Sequence, residues 1–187
     1  MGVTRSRGVA VLVSGSGSNL QALIDAAIPI AAVAANVAGV PALERALRIG
    51  APTAVFVLDD YLDRDARDTA MAEWLLQQGA DLVVCAGYMH LLRPAFLSRF
   101  PGRVVNVHPA LLPAFPGAHA VEEALAAGAT ETGATVHLVD EGVDTGAVLR
   151  QEAVAVLPGD TPETLHARIR AVEHRLLPEV VRELTAA

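Results

Sequence analysis

Three polar residues have the types and the spacing to act on a carbonyl group: Asn106, His108 and Asp144. Asn106 and His108 lie two apart in the β-branched run Val104–His108, so in a strand their side chains leave the same face. Asp144 lies in a short segment bounded by glycines, which is typical of a turn. A carboxylate beside an imidazole favours the charged ring, and an amide adds an N–H donor. Together the three groups suit a reaction in which negative charge grows on a carbonyl oxygen, as in acyl transfer.

This interpretation requires the loop around Asp144 to fold over the end of the strand that carries His108. The sequence offers no serine or cysteine nucleophile beside these residues, so the attacking group is expected to belong to a substrate. A purely structural explanation stays open, in which His108 ends a strand and Asp144 serves a turn.

A second motif has the order of elements that binds a phosphate. The predicted strand Gly8–Val13 runs into the glycine-rich segment 14–19 and then into a helix over Leu20–Ala27. Unpaired amides at the start of such a helix point at an anion, with the helix dipole behind them. Leu20 stands where a dinucleotide motif needs its third glycine, and the lysine of a P-loop is missing. A phosphomonoester is therefore the expected ligand; the alternative is an ordinary turn capped by Ser18 or Asn19.

The remaining histidines and the single cysteine predict no metal site. His137 lies in an apolar strand and is expected in the core, and His119 is expected to flank a helix. His166 and His174 are eight residues apart on the last helix, too far for a metal-binding pair one turn apart. Cys85, in an apolar run, is expected to be a buried strand residue.

Strands and helices alternate along the whole chain. The predicted strands are Gly8–Val13, Ile30–Ala35, Thr53–Leu58, Leu82–Ala86, the run that carries Asn106 and His108, Thr132–Val139 and Ala147–Leu157. The predicted helices are Leu20–Ala27, Pro41–Ile49, Asp63–Gln78, a short one ending at Phe100, Ala118–Ala127 and a long one from Pro162 to about Thr185. This alternation predicts an α/β fold with a largely parallel, twisted sheet and helices on both faces, as one domain over residues 1–187. The last strand is an open case that could run antiparallel to its neighbour.

Composition narrows the class of protein. The net charge is −7, from 14 basic and 21 acidic residues, which argues against nucleic acid as a partner. All of the basic residues are arginine, and the absence of lysine excludes Schiff-base chemistry. No apolar run is long enough to predict a membrane span. The start carries Arg5 and Arg7 before an apolar run too short for a signal peptide, so the cytoplasm is expected.

Six motifs together resemble the phosphoribosylglycinamide formyltransferase family of folate-dependent formyltransferases, over nearly the whole chain. They are Ser14–Asn19 (SGSGSN), Ala86–Met89 (AGYM) followed by Leu91 and Leu92, Asn106–Pro113 (NVHPALLP), Phe115–His119 (FPGAH), Gly133–His137 (GATVH) and Asp144–Gly146 (DTG). The resemblance implies a formyltransferase-like fold. It also implies transfer of a formyl group from 10-formyltetrahydrofolate to the amine of glycinamide ribonucleotide, in de novo purine biosynthesis.

The resemblance also implies roles for individual residues. His108 is expected to be the catalytic acid, Asn106 its partner at the oxyanion, and Asp144 the group that keeps the imidazole charged and helps to relay protons. Gly17, Ser18, Asn19 and Glu173 are expected to bind the ribonucleotide. The expected folate pocket comprises Arg64, Met89, His90, Leu91, Leu92, Asn106, Val139, Asp140, Glu141 and Val143. No metal or nucleotide cofactor is implied, and the expected assembly is a monomer or a homodimer.

The sequence departs from the family pattern at three positions. His90 stands where arginine is usual, Ala110 where serine is frequent, and Val37 where a lysine often follows the match at Asn36. The first departure leaves the role of position 90 open, and the third removes one phosphate contact.

Three other functions are weighed against this one. Formyltetrahydrofolate deformylase, a hydrolase, shares the three polar residues but usually has a regulatory domain before the first strand, and here that strand begins near Gly8. A relative that formylates initiator methionyl-tRNA is disfavoured by the acidic charge and by the absence of a second predicted domain. A non-catalytic module that binds a phosphate ligand is the alternative from a different class.

Overall fold

A computed structural model describes residues 8–186, and one seven-stranded sheet runs through them. Residues 1–7, which contribute to the signal-peptide interpretation, and residue 187 lie outside the described residues. The strands are β1 (Gly8–Val13), β2 (Ile30–Ala35), β3 (Thr53–Val55), β4 (Ala80–Cys85), β5 (Val104–His108), β6 (Glu131–Leu138) and β7 (Val148–Ala155). The α-helices are α1 (Ser18–Asp25), α2 (Pro41–Arg48), α3 (Arg64–Gln77), α4 (Pro94–Leu97), α5 (Ala120–Ala126) and α6 (Pro162–Ala186).

The strand order is β3-β2-β1-β4-β5-β6-β7, and the first five strands in space are parallel. The predicted α/β class with a largely parallel sheet is therefore confirmed. β6 runs antiparallel to both of its neighbours, β5 and β7. The last strand therefore does run antiparallel to its neighbour, as the sequence allowed, and β6 is the strand whose direction is reversed.

Four predicted strands have different bounds in the structure. β6 and β7 differ by one or two residues at each end from the predicted Thr132–Val139 and Ala147–Leu157. The predicted strand Thr53–Leu58 ends at Val55, because β3 lies at the edge of the sheet and pairs with β2 alone. Leu58 instead begins a single 3₁₀ turn. β4 starts at Ala80 rather than Leu82, since Ala80 already pairs with Gly8 of β1.

Apolar side chains of the central strands enter a separate core on each face of the sheet. On one face, Val9 and Val11 of β1 pack with residues of α1, α2, α5 and α6. On the other face, Ala10 and Leu12 pack with residues of α3 and α4. Successive residues of a strand point to opposite faces, so the fully apolar β1 contributes to both cores.

The sheet has a topological switch point between β1 and β4. The chain moves from β1 outward to β2 and β3, then returns to place β4 on the other side of β1. Open α/β sheets bind their ligands beside the carboxyl ends of strands at such a point. The glycine-rich segment 14–19 follows β1 and the loop 86–93 follows β4, so both motifs lie at this edge.

Candidate active site

The carboxylate of Asp144 lies between two imidazole rings. Its Oδ2 atom is 3.4 Å from His108 Nδ1, and its Oδ1 atom is 3.4 Å from His137 Nε2. The backbone N–H of Gly117 donates to Oδ2 over 2.8 Å. The loop around Asp144 therefore folds over the end of β5, as the proposed chemistry requires.

His108 has an oxygen atom opposite each of its ring nitrogens. Nδ1 faces Asp144, and Nε2 lies 2.7 Å from the carbonyl oxygen of Phe115. Since a carbonyl oxygen can only accept a hydrogen bond, Nε2 carries the hydrogen in that contact. Both nitrogens can then be donors, and this arrangement suits the charged imidazolium form.

The two residues that supply these oxygen atoms have an uncommon backbone conformation. Phe115 has φ 52° and Asp144 has φ 54°, in the left-handed region that residues other than glycine seldom occupy. Such conformations persist only where surrounding contacts hold them, and they cluster at functional sites. Gly146 is part of that support, because a Cβ there would lie 1.8 Å from the carbonyl oxygen of Leu138.

Asn106 and His137 complete the network around Asp144. Asn106 Nδ2 lies 3.4 Å from Asp144 Oδ1 and 3.3 Å from His137 Nε2. The other nitrogen of His137 is 2.8 Å from the carbonyl oxygen of Leu138, so it carries a hydrogen. His137 is buried, as its apolar strand predicts, but it is also a member of the polar network. The antiparallel pairing that sets His137 opposite Asn106 has no local sequence signal.

The same contacts determine the charge of Asp144. A hydrogen bond from the His137 ring is the largest of the effects that lower the pKa of Asp144 to about 2. The hydrogen bond from the Gly117 amide and the positive potential of His108 act in the same direction, and burial of the carboxylate opposes them. The carboxylate is therefore ionised at neutral pH. A fixed negative charge between two imidazoles can stabilise a proton on either ring.

The glycine-rich segment 15–19 forms a backbone nest at the start of α1. Gly17 is the N-cap with φ 72°, and no side chain caps the helix. Ser18 and Asn19 therefore do not cap the helix, contrary to that part of the alternative explanation, and the first amides are not capped by a side chain. A Cβ at Gly17 would lie 2.6 Å from the Cβ of Ala42, so close packing against α2 holds the nest in place.

Hydrogen bonds from α2 and from the loop after β4 hold the nest in position. The N–H of Ala42 donates to the carbonyl oxygen of Gly15 over 3.2 Å, and Arg45 Nε donates to that of Ser16 over 2.9 Å. The hydroxyl of Ser14 accepts from the N–H of Met89 at 2.9 Å. This last bond ties the nest to the loop after β4.

Glu173 of α6 lies beside the nest and is buried. Its carboxylate accepts a hydrogen bond from Asn19 Nδ2 over 3.2 Å, and its burial raises its pKa above the ordinary value. The Oδ1 atom of Asn19 is buried without a partner among residues 8–186. His174, the residue after Glu173, lines a different site, a shallow depression behind α1 that Gln21 and Arg45 also line.

Exposed apolar side chains form another part of the cleft lining. Met89, Leu91 and Val143 are 63%, 50% and 45% exposed. His90, Leu92, Val139 and Asp140 also line this side. Two of the residues expected in a folate pocket, Arg64 and Glu141, are exposed and lie outside the cleft lining.

A buried ion pair supports the loop after β4, which carries Met89, His90 and Leu91. Arg67 and Asp68 are both fully buried and hydrogen-bond to each other, and Asp68 Oδ2 accepts from the backbone N–H of Arg93 over 2.8 Å. Arg67 Nη1 is 2.5 Å from His90 Nδ1. A guanidinium has only donors, so Nδ1 is an acceptor and the neutral ring carries its proton on Nε2. Burial and the charge of Arg67 lower the pKa of His90, which favours this neutral form.

The network, the nest and the apolar loops line one cleft of about 520 Å³. The residues placed in it include all the predicted catalytic and ribonucleotide-binding positions: Gly17, Ser18, Asn19, Asn106, His108, Asp144 and Glu173. Also in the lining, and not singled out from the sequence, are His166 and Arg170 of α6.

Two other features are absent from the described residues. Within residues 8–186, the structure contains no group of three or more acidic, histidine or cysteine side chains placed to hold a metal ion. Every helix in the same range lacks a stretch with the length and apolarity that crossing a membrane requires.

Comparison with known proteins agrees with this geometry. The chain is 51% identical, over 178 residues, to phosphoribosylglycinamide formyltransferase of Mycobacterium tuberculosis, which covers 93% of this chain and 83% of that one. It is 46% identical to the trifunctional purine biosynthetic protein adenosine-3 of Drosophila pseudoobscura pseudoobscura, of whose length it spans 14%.

A solved structure supports the same relationship. The crystal structure of glycinamide ribonucleotide transformylase 1 from Symbiobacterium toebii superposes with a TM-score of 0.95 at 44% identity, over 98% of this chain and 90% of that one. The profile of the formyl transferase family matches residues 7–181. The chain therefore belongs to the formyl transferase family.

Proposed function

We propose that this chain transfers a formyl group from 10-formyltetrahydrofolate to the amino group of glycinamide ribonucleotide, a step of de novo purine biosynthesis. The family and the names of its relatives support the reaction class. The observation that carries the proposal is the 3.4 Å contact between His108 and Asp144, in a cleft that is also lined by the glycine-rich nest and by exposed apolar side chains.

In this reaction the amine nitrogen attacks the formyl carbon, and the electrons of the C=O double bond move to its oxygen. The tetrahedral intermediate then collapses, which breaks the bond from the formyl carbon to N10 of the folate. The amine loses one proton and N10 gains one, so atoms and charge balance without a metal or a redox partner.

The polar network suits the charge that develops in this sequence. The imidazolium of His108 would donate a hydrogen bond to the oxyanion and later supply a proton. An amide nitrogen carries two hydrogens, so Asn106 can keep its contact with Asp144 and still donate one hydrogen to the oxyanion. Asp144 would stabilise the charged ring and help to relay the proton through water.

The two ends of the cleft suit the two substrates. The nest of Gly17, Ser18 and Asn19 would bind the phosphate of the ribonucleotide through backbone amides, with Glu173 on its sugar. The apolar side chains of Met89, Leu91 and Val143 would cover the rings of the folate. We also expect the chain to work in the cytoplasm, as a monomer or a homodimer.

An assay of folate product with glycinamide ribonucleotide present, and then omitted, tests the proposal. We expect product absorbance to grow only when the ribonucleotide is present, with one formylated amine for each folate released. Product formation at the same rate without the amine, together with free formate, would identify a deformylase instead. Binding of a phosphate ligand without any folate binding, by calorimetry, would identify a non-catalytic module.

A further inference from the structure

The loop over residues 109–117, between β5 and α5, brings two backbone groups to His108 and Asp144. The carbonyl oxygen of Phe115 lies 2.7 Å from His108 Nε2, and the N–H of Gly117 donates to Asp144 Oδ2 over 2.8 Å. The first contact orients the imidazole, and the second helps to keep the carboxylate charged. Residues 109–117 form no helix or strand, so other contacts must hold the loop in place.

Two side chains of the antiparallel strands hold the first half of this loop. Thr135 of β6 donates its hydroxyl hydrogen to the carbonyl oxygen of Ala110 over 2.7 Å and accepts from the N–H of Leu112 over 3.2 Å. Gln151 of β7 donates from Nε2 to the carbonyl oxygen of Leu112 over 2.7 Å and to Thr135 Oγ1 over 3.0 Å. The register of β6 and β7 sets Thr135 directly opposite Gln151.

These two side chains form a network in which every hydrogen of the contacting atoms has an acceptor. The Thr135 hydroxyl has one hydrogen and two lone pairs, and all three are used. Both hydrogens of Gln151 Nε2 are also used, one on Leu112 and one on Thr135. Because a carbonyl oxygen only accepts, turning the Gln151 amide round would lose the bond to Leu112. A fully satisfied polar network of this kind favours one geometry.

Packing and a tight turn extend this geometry to Phe115. Leu111 lies against β6 at Gly133, where a Cβ would be 2.6 Å from Leu111 Cδ2. The N–H of Ala114 donates to the carbonyl oxygen of Leu111 over 3.0 Å, which closes the turn directly before Phe115. The loop is therefore held up to the residue that contacts His108.

We propose that Gln151 is a positioning residue for the reaction. Its amide fixes the loop over residues 109–117, and that loop in turn orients His108 and Asp144. The inference rests on the proposed function for the reaction that this geometry serves. Gln151 is exposed on an edge strand and is not among the residues that line the cleft. Surface substitutions are ordinarily tolerated, so a loss of turnover at this position would be specific to the network.

Steady-state kinetics of Gln151→Ala test this assignment. We expect kcat to fall about 10- to 100-fold, because a displacement of about 1 Å in the active site can cost about 100-fold in rate. The KM for each substrate should change less than about threefold.

Three further variants separate hydrogen bonding from size and charge. Gln151→Glu has nearly the same shape but no hydrogen to donate at neutral pH, so its kcat should fall as in Gln151→Ala. Gln151→Lys keeps a donor on a side chain one atom longer and should recover part of kcat. Glu152→Gln is the matched control, because Glu152 points to the other face of the sheet, where it pairs with Arg175.

Amide hydrogen exchange at Gly117 provides a measurement that does not need turnover. Exchange should be about tenfold faster in Gln151→Ala and unchanged in Glu152→Gln, since one supporting hydrogen bond is lost only in the first. Unchanged exchange would show that Gln151 does not hold the loop. Full kcat, or an equal loss of kcat in Gln151→Ala and Glu152→Gln, would show that it does not position the reacting groups. Each of these results overturns the assignment and leaves the proposed function intact. If the unmodified protein does not turn over, the proposed function fails, and the exchange rates still decide whether Gln151 positions the loop.

Discussion

The two ends of the cleft are built by different physical means. At the nest end, backbone hydrogen bonds and the close approach of Gly17 to Ala42 hold the chain in one conformation. At the apolar end, Met89 and Leu91 expose half or more of their surface, on a loop that is hydrogen-bonded to Ser14 and to the buried pair of Arg67 and Asp68.

This difference suits the kind of recognition that we propose for each end. Hydrogen bonds to an anion depend on distance and angle, so the donors must be fixed before the ligand arrives. Apolar contact has no preferred direction, so exposed side chains can adjust to the ring system they cover. The network of Asn106, His108 and Asp144 lines the same cleft as these two regions.

Substitutions in the network of Asn106, His108 and Asp144 should abolish the reaction and leave substrate binding at both ends of the cleft unchanged. His108→Ala and Asp144→Ala should each lower kcat by about 10²- to 10⁴-fold, because general acid catalysis contributes that much. The affinity for each substrate should change little. Rapid-quench turnover and calorimetry measure the two effects, with circular dichroism to check folding. His119→Ala is the control, since this exposed histidine lies outside the cleft lining. Full turnover in the folded variants would remove the network from the mechanism.

Gly17→Ala should damage the nest end alone. The new Cβ would clash with Ala42, at a backbone conformation with φ 72° that alanine seldom adopts. We expect affinity for ribose 5-phosphate to fall by at least about tenfold and stability to fall by about 1–3 kcal/mol. The affinity for the folate should stay the same.

The neighbouring glycine provides a matched control for this strain. A Cβ at Gly15 would have nothing within 4 Å, so Gly15→Ala should leave the melting temperature nearly unchanged. Equal losses of stability in the two variants would show that the close packing of Gly17 is not what holds the nest. If Gly17→Ala lost as much affinity for the folate as for ribose 5-phosphate, the two ends would not be independent.

Leu91→Ala should weaken the apolar end by a smaller amount. Covering the exposed half of a leucine side chain contributes about 1 kcal/mol, so folate affinity should fall about fivefold. Ribonucleotide affinity should not change. Leu62→Ala removes a side chain that is 94% exposed and outside the cleft, and serves as the control in the same fluorescence titration. An unchanged folate affinity in Leu91→Ala would place the folate elsewhere.

Glu173→Gln should change the pH dependence of stability at the nest end. Burial raises the pKa of this carboxyl, so its favourable contribution to folding is present below its ordinary pKa of 4.5 and is lost as pH rises through the higher folded value. Glutamine resembles the protonated acid and can still accept from Asn19. The variant should melt a few degrees higher at pH 8 and at nearly the same temperature at pH 4.

Glu163→Gln, on the first turn of the same helix, is the control for this measurement. Hydrogen bonds lower the pKa of Glu163, so removing its charge should not raise the melting temperature at pH 8. A gain of the same size in both variants would trace the effect to net charge rather than to burial.

Much of the fold could be predicted because its signals are local. Periodicity and flanking glycines predict β1 and β2 with the observed bounds, and alternation within β5 places Asn106 and His108 on one face. Antiparallel pairing of β6 could not be predicted, because two strands of similar composition pair in either direction. His137 entered the polar network through that pairing alone.

The buried pair of Arg67 and Asp68 shows the same limit. In the sequence the two residues are charges near the start of an amphipathic helix, a position typical of solvent exposure. They are buried because each finds a partner more than 20 residues away, Arg67 at His90 and Asp68 at the backbone of Arg93. A helical pattern does not reveal such partners.

The sequence by itself determined the α/β class, the nest motif and the identity of Asn106, His108 and Asp144, because each depends on the types and spacing of nearby residues. Only the tertiary structure decided that Asp144 lies between His108 and His137, and that His166 and Arg170 of α6 line the cleft with Glu173. Those placements depend on strand direction and on the packing of α6 against α1, which arise from contacts between residues far apart in the chain.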